Sequence, residues 1–260
     1  MIDFKKYRNP EIITNISDIM DPSCFFVKLA IWGGIFTIIG IIADILLIKS
    51  SDQEVIIHAL TSVILLFLMI FSGVLLGTHA YFRQLNHSMQ NVLDYTNNVV
   101  HQVIQDVSQS IDMVKSSTEN CRITLPGGNE IVSGVLLDVI NPAVKNCFEN
   151  KLPLIGKLIF KIYSTITTGL LKMSSVFFAK VDKQIDDAIN GQFSKVKNVA
   201  ERPLNFIEST WLPKIKDGTE KYIGKAKNYI KRIFFFASLP VLFFAIAFIA
   251  ASASLMYFAM

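Results

Sequence analysis

The residues with the greatest capacity for chemistry in this chain are its four histidines and three cysteines. They are His58, His79, His87 and His101, and Cys24, Cys121 and Cys147. A zinc or iron site needs such side chains at short spacings or beside a carboxylate cluster, and none has that arrangement. The sequence also lacks a phosphate-binding loop, a glycine-rich dinucleotide fingerprint and a nucleophile elbow. We therefore expect a non-enzymatic protein with no catalytic site, no metal and no cofactor.

Apolar residues dominate the chain and are concentrated near its two ends. Hydrophobic residues make up 52% of the 260 positions, and the mean hydropathy is +0.44, well above that of soluble domains. Three runs, 29–48, 56–80 and 233–260, are almost free of charge. At about 1.5 Å per residue, each is about 30 Å long or longer, which is the thickness of a bilayer core. The sequence predicts an all-α membrane protein with three membrane-spanning helices.

The distribution of basic residues predicts the orientation of these spans. A short polar turn is expected to join the first two runs into a transmembrane helical hairpin over 29–80, so that 1–28 and 81–232 share one side. Near the span ends, the bases on that side are Lys5, Lys6, Arg8, Lys28, Arg83, Lys214, Lys216, Lys221, Lys225, Lys227, Lys231 and Arg232, and Lys49 alone lies on the other. The positive-inside rule then makes 1–28 and 81–232 cytoplasmic and directs the end of the transmembrane helix 233–260 to the opposite side.

Small residues predict where the two hairpin helices pack. They recur at steps of three or four residues along one face of the first helix and four residues apart on the second, which allows close approach of the backbones. Aligning the centres of the two helices brings Gly34 opposite Gly73. The residues of this predicted contact are Gly33, Gly34, Thr37, Gly40, Gly73 and Gly77.

Asp44 interrupts the first apolar run and is a candidate intramembrane polar site. Acidic residues in such positions often mark ion or proton pathways, which would suit a channel or transporter built from oligomerised spans. We favour a structural interpretation, because Asp44 lies about one turn from the outer end of the helix. There its carboxylate can reach the headgroups or accept a hydrogen bond from Ser62 of the second helix.

Charge is unevenly distributed within the middle region. Residues 83–144 carry more acids than bases, whereas 145–232 carry a large excess of bases, which indicates contact with an anionic surface. Apolar residues between Leu93 and Val114 recur at spacings of three, four and seven, and predict an amphipathic helix that continues the second span. A loop over 116–133, with a turn at its paired glycines, is expected to follow.

The segment 154–179 combines a narrow polar stripe with a wide hydrophobic face. The stripe consists of Lys157, Lys161, Ser164, Thr168, Lys172 and Ser175. We favour an interfacial amphipathic helix, because a cationic stripe near membrane anchors is attracted to anionic lipid. The alternatives are the central helix of a cytoplasmic bundle and a fourth span. Membrane-surface binding is predicted for Lys157, Lys161, Lys172, Lys221, Lys225 and Lys227.

These features lead to three hypotheses about function. The first is a protein that organises or shapes a membrane, or that acts as a membrane-anchored scaffold subunit. Its expected partners are the bilayer, through anionic headgroups, and either further copies of the chain or a larger membrane complex, with no nucleic acid. The second is a small transporter or channel component. The hairpin 29–80 with its cytoplasmic flanks is also similar to the inclusion-membrane proteins of intracellular bacteria, and this resemblance implies an effector-like protein inserted in a host membrane.

Overall fold

The computed structural model of the chain describes Thr14, Asp18, 23–50, 55–116, 128–151, 156–193, Ser209 and 212–259. Almost all of these residues are helical, and no strand occurs among them, so the prediction of an all-α protein is confirmed for this part of the chain. The elements are α1 (Cys24–Ser50), α2 (Val55–Ser116), α3 (Gly128–Gly134), a π-helical segment (Val135–Ile140), α4 (Asn141–Lys151), α5 (Gly156–Phe193) and α6 (Leu212–Ala259).

Four helical stretches are long and apolar enough to cross a membrane, one more than the sequence analysis predicted. Three of them, Cys24–Lys49, Val55–Asp106 and Leu212–Ala259, contain the predicted apolar runs. The fourth, Gly128–Asn150, begins inside the segment expected to be a loop. The loop prediction is wrong from Gly128 onward, because the valines, leucines and isoleucines that follow continue one helical rod. This content of long apolar helices indicates a membrane protein.

The π-helical segment joins α3 to α4 in one continuous helix and forms a single widened turn. The backbone N–H of Asn141 donates to the carbonyl oxygen of Leu136, five residues earlier. Pro142 follows directly and lacks an N–H, so the regular pattern of bonds four residues apart cannot continue through this point. Most residues of the widened turn are buried, namely Val135, Leu136, Val139 and Ile140. Packing within the protein therefore stabilises a turn that an isolated helix would not favour.

The chain forms two compact units, and helices α2 and α6 each contribute residues to both. One comprises Met1–Met20 and Met89–Ile230, and we call it the basic unit. The other comprises Asp21–Ser88 and Lys231–Met260, and we call it the apolar unit. The two helices pass from apolar to polar sequence without interruption, because a helix satisfies its own backbone hydrogen bonds in lipid and in water alike.

The apolar unit exposes most of its large side chains. Ile38 and Phe67 are each 61% exposed, and Phe243 is 69% exposed. Its helices contact one another at small residues and at aromatic pairs such as Phe71 and Phe248, whose ring centroids lie 5.4 Å apart. Exposed aliphatic and aromatic side chains over whole helices are typical of surfaces that face lipid.

The basic unit buries its large side chains in a helical bundle. Helix α5 contacts both α3 and α4. The fully buried residues include Phe148, Leu170, Phe178, Ile215 and Ile230. The hydrophobic face predicted for 154–179 is divided by this packing, since Leu170 and Phe178 are buried while Val176 remains 65% exposed. The helix itself also extends to Phe193, beyond the predicted boundary.

Candidate functional site: a lysine groove

A close contact between α1 and α2 forms part of the apolar unit. A Cβ atom added to Gly73 would lie 2.6 Å from the carbonyl oxygen of Trp32 and 2.9 Å from Cα of Gly33. Both neighbours are backbone atoms, so no larger residue fits without separating the helices. The predicted register puts Gly34 opposite Gly73, whereas the backbone atom of this glycine pair that lies close to Gly73 is Cα of Gly33; a Cβ on either Gly33 or Gly34 would meet nothing within 4 Å, so the contact on this side is made by backbone.

Other members of the predicted set lie along the same contact. A Cβ on Gly77 would be 2.9 Å from the carbonyl oxygen of Lys28, and one on Gly40 would be 3.2 Å from side-chain atoms of α2. Thr37 donates its hydroxyl to the carbonyl oxygen of Gly33 at 2.7 Å, within its own helix. Close backbone approach at small residues is the usual basis of helix association in lipid.

Asp44 has a partner on the neighbouring helix. The Ser62 hydroxyl donates a hydrogen bond to the Asp44 carboxylate, which is the contact that the structural interpretation allowed. Gly40, one turn earlier on the same face, also packs against α2. The polar face of α1 is therefore engaged by α2 within the apolar unit.

The basic unit contains a groove of about 780 Å³ between α5 and the N-terminal part of α6. Exposed lysines from both helices line it: Lys172, Lys180, Lys214, Lys221 and Lys225. We call this feature the lysine groove. Apolar surface comes from Met173, Val176, Phe177 and Tyr222, and Asp217 is the only acidic residue among the described residues that line it. A cationic rim beside an apolar wall suits a ligand that is both anionic and partly apolar.

Helical spacing gathers the lysines on facing surfaces. Lys172 and Lys180 are eight residues apart on α5, and Lys214, Lys221 and Lys225 follow one another at seven and four residues on α6. Such intervals place side chains on one face of a helix. The sequence analysis identified Lys172, Lys221 and Lys225 but treated the two helices separately. It did not name Lys180, whose position eight residues from Lys172 was the available signal, whereas Lys214 was already counted among the basic residues near the last span.

Aromatic packing fixes the floor of the lysine groove. The ring centroids of Phe177 and Tyr222 are 6.2 Å apart, and those of Phe178 and Tyr222 are 5.8 Å apart. The Tyr222 hydroxyl donates to the carbonyl oxygen of Leu170 at 2.8 Å. Burial raises the pKa of Tyr222 to about 12, with a smaller opposing effect from Ser174. The phenol therefore stays neutral and keeps this bond between α5 and α6 at physiological pH.

Gly128 supports the floor from behind. A Cβ atom added to it would lie 2.5 Å from Cδ1 of Phe178 and 2.8 Å from Cδ1 of Ile215. The start of α3 therefore packs directly against the buried side chains that position α5 and α6. Asn129, the next residue, accepts a hydrogen bond from the Ser174 hydroxyl at 3.2 Å. The lysine groove consequently rests on three helices.

The lysine groove carries an excess of positive charge over negative charge among the described residues that line it. Within the described part of the chain, none of its lysines forms an ion pair. Lys225 instead lies over the ring of Phe177, with its Nζ 5.1 Å from the centroid. A cation over an aromatic face retains its full charge and is held in place by the ring quadrupole. The groove thus combines exposed cations with an aromatic surface that holds one of them.

The remaining predicted surface lysines have other environments. Lys157 and Lys161 are exposed on α5 but do not line the groove. Lys227 is 30% exposed and pairs with Asp94 of α2, with Nζ and Oδ1 2.5 Å apart. The structure therefore brings together Lys172, Lys221 and Lys225 and assigns Lys227 an internal partner.

A second cleft of similar size provides a contrast in charge. It measures about 770 Å³ and is lined by acidic and basic groups together, including His101, Lys216, Asp217 and Glu220. Nε2 of His101 lies 3.6 Å from a carboxylate oxygen of Glu220. Because acidic and basic side chains line it together, this cleft has no comparable preference for an anion.

Comparison with known proteins gives no family model, no curated protein and no solved structure that matches this chain. The physical features of the molecule therefore define its class: a helical membrane protein in which long apolar helices accompany a basic helical bundle.

Proposed function

We propose that this chain is a non-enzymatic integral membrane protein that organises a bilayer surface, as a membrane-anchored scaffold. In this proposal, the apolar unit spans the membrane and the basic unit binds the anionic lipid of the cytoplasmic leaflet. The observation that carries the proposal is the lysine groove, where five lysines face one acidic residue beside exposed apolar side chains.

The proposal assigns three of the four apolar stretches to the bilayer. Of the apolar part of Gly128–Asn150, 56% is buried in the protein, against 17% for α1 and for α6. An apolar helix covered by other helices is typical of a bundle core, whereas an uncovered one needs lipid. Asp138 and Lys145 are exposed on this rod and would be costly in hydrocarbon. These features support Gly128–Asn150 as the core helix of a cytoplasmic bundle.

With three spans, the hairpin 29–80 and the C-terminal helix 233–260 set the orientation. The positive-inside bias then gives a cytoplasmic N-terminus and basic unit, and a C-terminus on the other side. In this orientation the lysines of α5 and α6 share a compartment with the negatively charged leaflet. Each lysine near such a surface is attracted by about 1 kcal/mol.

The packing of α5 modifies the interfacial interpretation of 154–179. One face of the helix is used by the bundle, where Tyr163, Leu170 and Phe178 are buried. The exposed face carries Lys172 and Val176 and remains available to headgroups. This arrangement supports a bundle that contacts the surface with one side of α5, in place of a helix half-immersed in lipid.

The transport hypothesis receives less support. A pore made by oligomerised spans would need a free polar lining, and the only candidate face contains Gly40 and Asp44. Both residues contact α2 within the same chain. The effector hypothesis concerns the source of the membrane and is compatible with the same surface activity.

Energy transfer between the basic unit and lipid headgroups tests the proposal. The full chain, with its cysteines changed to serine, carries a donor on Ser175→Cys, an exposed α5 position whose hydroxyl donates to the carbonyl oxygen of Lys172 in the same helix. It is reconstituted with a headgroup acceptor in neutral or anionic bilayers. We expect stronger transfer in anionic bilayers and a loss of this gain at 1 M salt, where the screening length falls to about 3 Å.

Charge variants provide the control for this experiment. Lys157→Gln, Lys161→Gln and Lys172→Gln together should reduce the gain in anionic bilayers. Lys145→Gln removes a lysine of α4 that lies 4.0 Å from Glu149, and it should leave the gain unchanged. Equal transfer in neutral and anionic bilayers at low salt would exclude the surface role, whatever the variants do.

A further inference from the structure

We infer that the lysine groove is a discrete binding site for one phospholipid whose headgroup carries phosphomonoester groups. The phosphates would lie among Lys172, Lys221 and Lys225, and the glycerol and adjoining acyl carbons would lie along Met173 and Val176. This inference rests on the proposed function, because the ligand comes from the bilayer that the basic unit contacts. It adds a stoichiometry and a headgroup class to that function.

The charge of the groove selects the headgroup class. Among the described residues, five lysines and the carboxylate of Asp217 line the groove, so the formal excess is four positive charges. A headgroup with one net negative charge would compensate only one of them. A phosphomonoester carries about −1.5 to −2 at neutral pH, so two such groups balance the site. Lysine suits this ligand, because its ammonium group binds phosphate as a compact point charge with three donors.

The apolar wall identifies a lipid as the source of the phosphate. Val176 is 65% exposed and Met173 is 37% exposed, and both lie beside Lys172 on α5. Phe177 adds a ring face under Lys225. A soluble polyphosphate would occupy the cations and leave this apolar surface in water. A phospholipid covers both parts at once, which is the more favourable arrangement.

The groove is formed before any ligand binds. The hydrogen bond from Tyr222 to Leu170, and the contacts of Phe178 and Ile215 behind the floor, hold α5 and α6 at a fixed separation. Each lysine therefore loses only its own rotamer freedom on binding. Preorganisation of this kind distinguishes a binding site from a diffuse basic surface, because it favours the binding of one headgroup geometry.

Lipid binding to the full chain in nanodiscs tests the inference. Neutral discs are doped with phosphatidylinositol bisphosphate or with phosphatidylserine at equal total charge, and native mass spectrometry counts lipids retained per chain after detergent extraction. We expect one retained bisphosphate lipid per chain and no retained phosphatidylserine. Lys172→Gln, Lys221→Gln and Lys225→Gln together should weaken binding about a hundredfold, at about fivefold per lysine.

The matched control removes the same charge outside the groove. Lys157→Gln, Lys161→Gln and Lys183→Gln are exposed α5 positions that do not line it, and this triple should bind within about twofold of the wild type. Equal weakening by both triples would overturn the groove as a site while leaving surface binding intact. Unchanged hydrogen exchange across α5 and α6 verifies that the variants remain folded.

An apolar variant distinguishes a lipid from a soluble phosphate. Val176→Ser with Met173→Ser should weaken retention of the bisphosphate lipid and leave the affinity for soluble inositol trisphosphate unchanged. If the soluble headgroup binds as tightly as the lipid, the lipid source is wrong. If lipid retention fails while energy transfer from Ser175→Cys still responds to anionic bilayers, the inference fails and the proposed function stands.

Discussion

The apolar and basic units contain similar aliphatic and aromatic residues but use them in opposite ways. In the apolar unit, Ile38 and Phe243 are largely exposed, and the closest contacts are made by glycine. In the basic unit, Phe148 and Phe178 are almost fully buried, and the exposed surface is rich in lysine. This difference indicates that the surface of the apolar unit is suited to lipid and that of the basic unit to water.

The forces that hold the helices together therefore differ between the two units. In water, burial of apolar area stabilises a bundle by about 25 cal/mol per Å². In lipid this driving force is absent between helices, so packing and hydrogen bonding must replace it. Hydroxyl groups of the apolar unit illustrate the second requirement, since Thr61, Ser72 and Ser252 each donate to a carbonyl oxygen four residues earlier. Each of these three hydroxyl groups is thereby satisfied without water.

The largest expected effect comes from adding a methyl group at the contact between α1 and α2. Gly73→Ala places Cβ 2.6 Å from a backbone oxygen, which cannot rotate away, so the helices must separate. We expect a loss of about 1–3 kcal/mol, measured as a reduced free energy of unfolding in mild detergent. Gly34→Ala is the control, because its Cβ would meet nothing within 4 Å. If both alanines behave alike, close backbone approach is not what holds the apolar unit together.

An equivalent change in the basic unit should have a smaller effect. Gly128→Ala brings Cβ within 2.5 Å of the Phe178 ring, a side chain that can shift slightly where a backbone atom cannot. We expect a cost of about 1–2 kcal/mol, seen as faster hydrogen exchange in peptides from α5. Gly169→Ala meets nothing within 4 Å in the interior of α5 and should stabilise it by about 0.5–1 kcal/mol. If Gly128→Ala lost more stability than Gly73→Ala, close backbone approach would matter less in the apolar unit than side-chain packing does in the basic unit.

Much of the apolar unit could be predicted from the sequence, because its main signal is long and local. Uncharged runs identify helices by length alone, and glycine spacing identified the contact face around Gly73. The exact register depends on rotation about the helix axis, which the sequence does not specify. A seam on α6 was also missed, although its signal is regular: Ser238, Ala245, Ser252 and Ala259 are small, buried and seven residues apart from one to the next.

The basic unit was less predictable, because its organisation depends on contacts between distant segments. The paired glycines suggested a turn, yet Gly128 begins a helix, and the close approach of Phe178 and Ile215 explains why glycine is needed at that position. The lysine groove joins residues of α5 to residues of α6 about forty positions later. Single-helix periodicity could place each lysine on a face but could not show which faces meet.

The smallest expected effect concerns Lys227, which the sequence grouped with the lipid-binding lysines. Its pair with Asp94 joins α2 to α6 at a partly exposed position. Lys227→Gln and Asp94→Asn should each reduce the free energy of unfolding by about 0.2–1 kcal/mol, and the double variant should lose less than the sum. Retention of the bisphosphate lipid should not change in Lys227→Gln, since Lys227 does not line the groove. Weaker lipid binding without any coupling to Asp94 would instead return Lys227 to the membrane-binding surface and enlarge that surface beyond the groove.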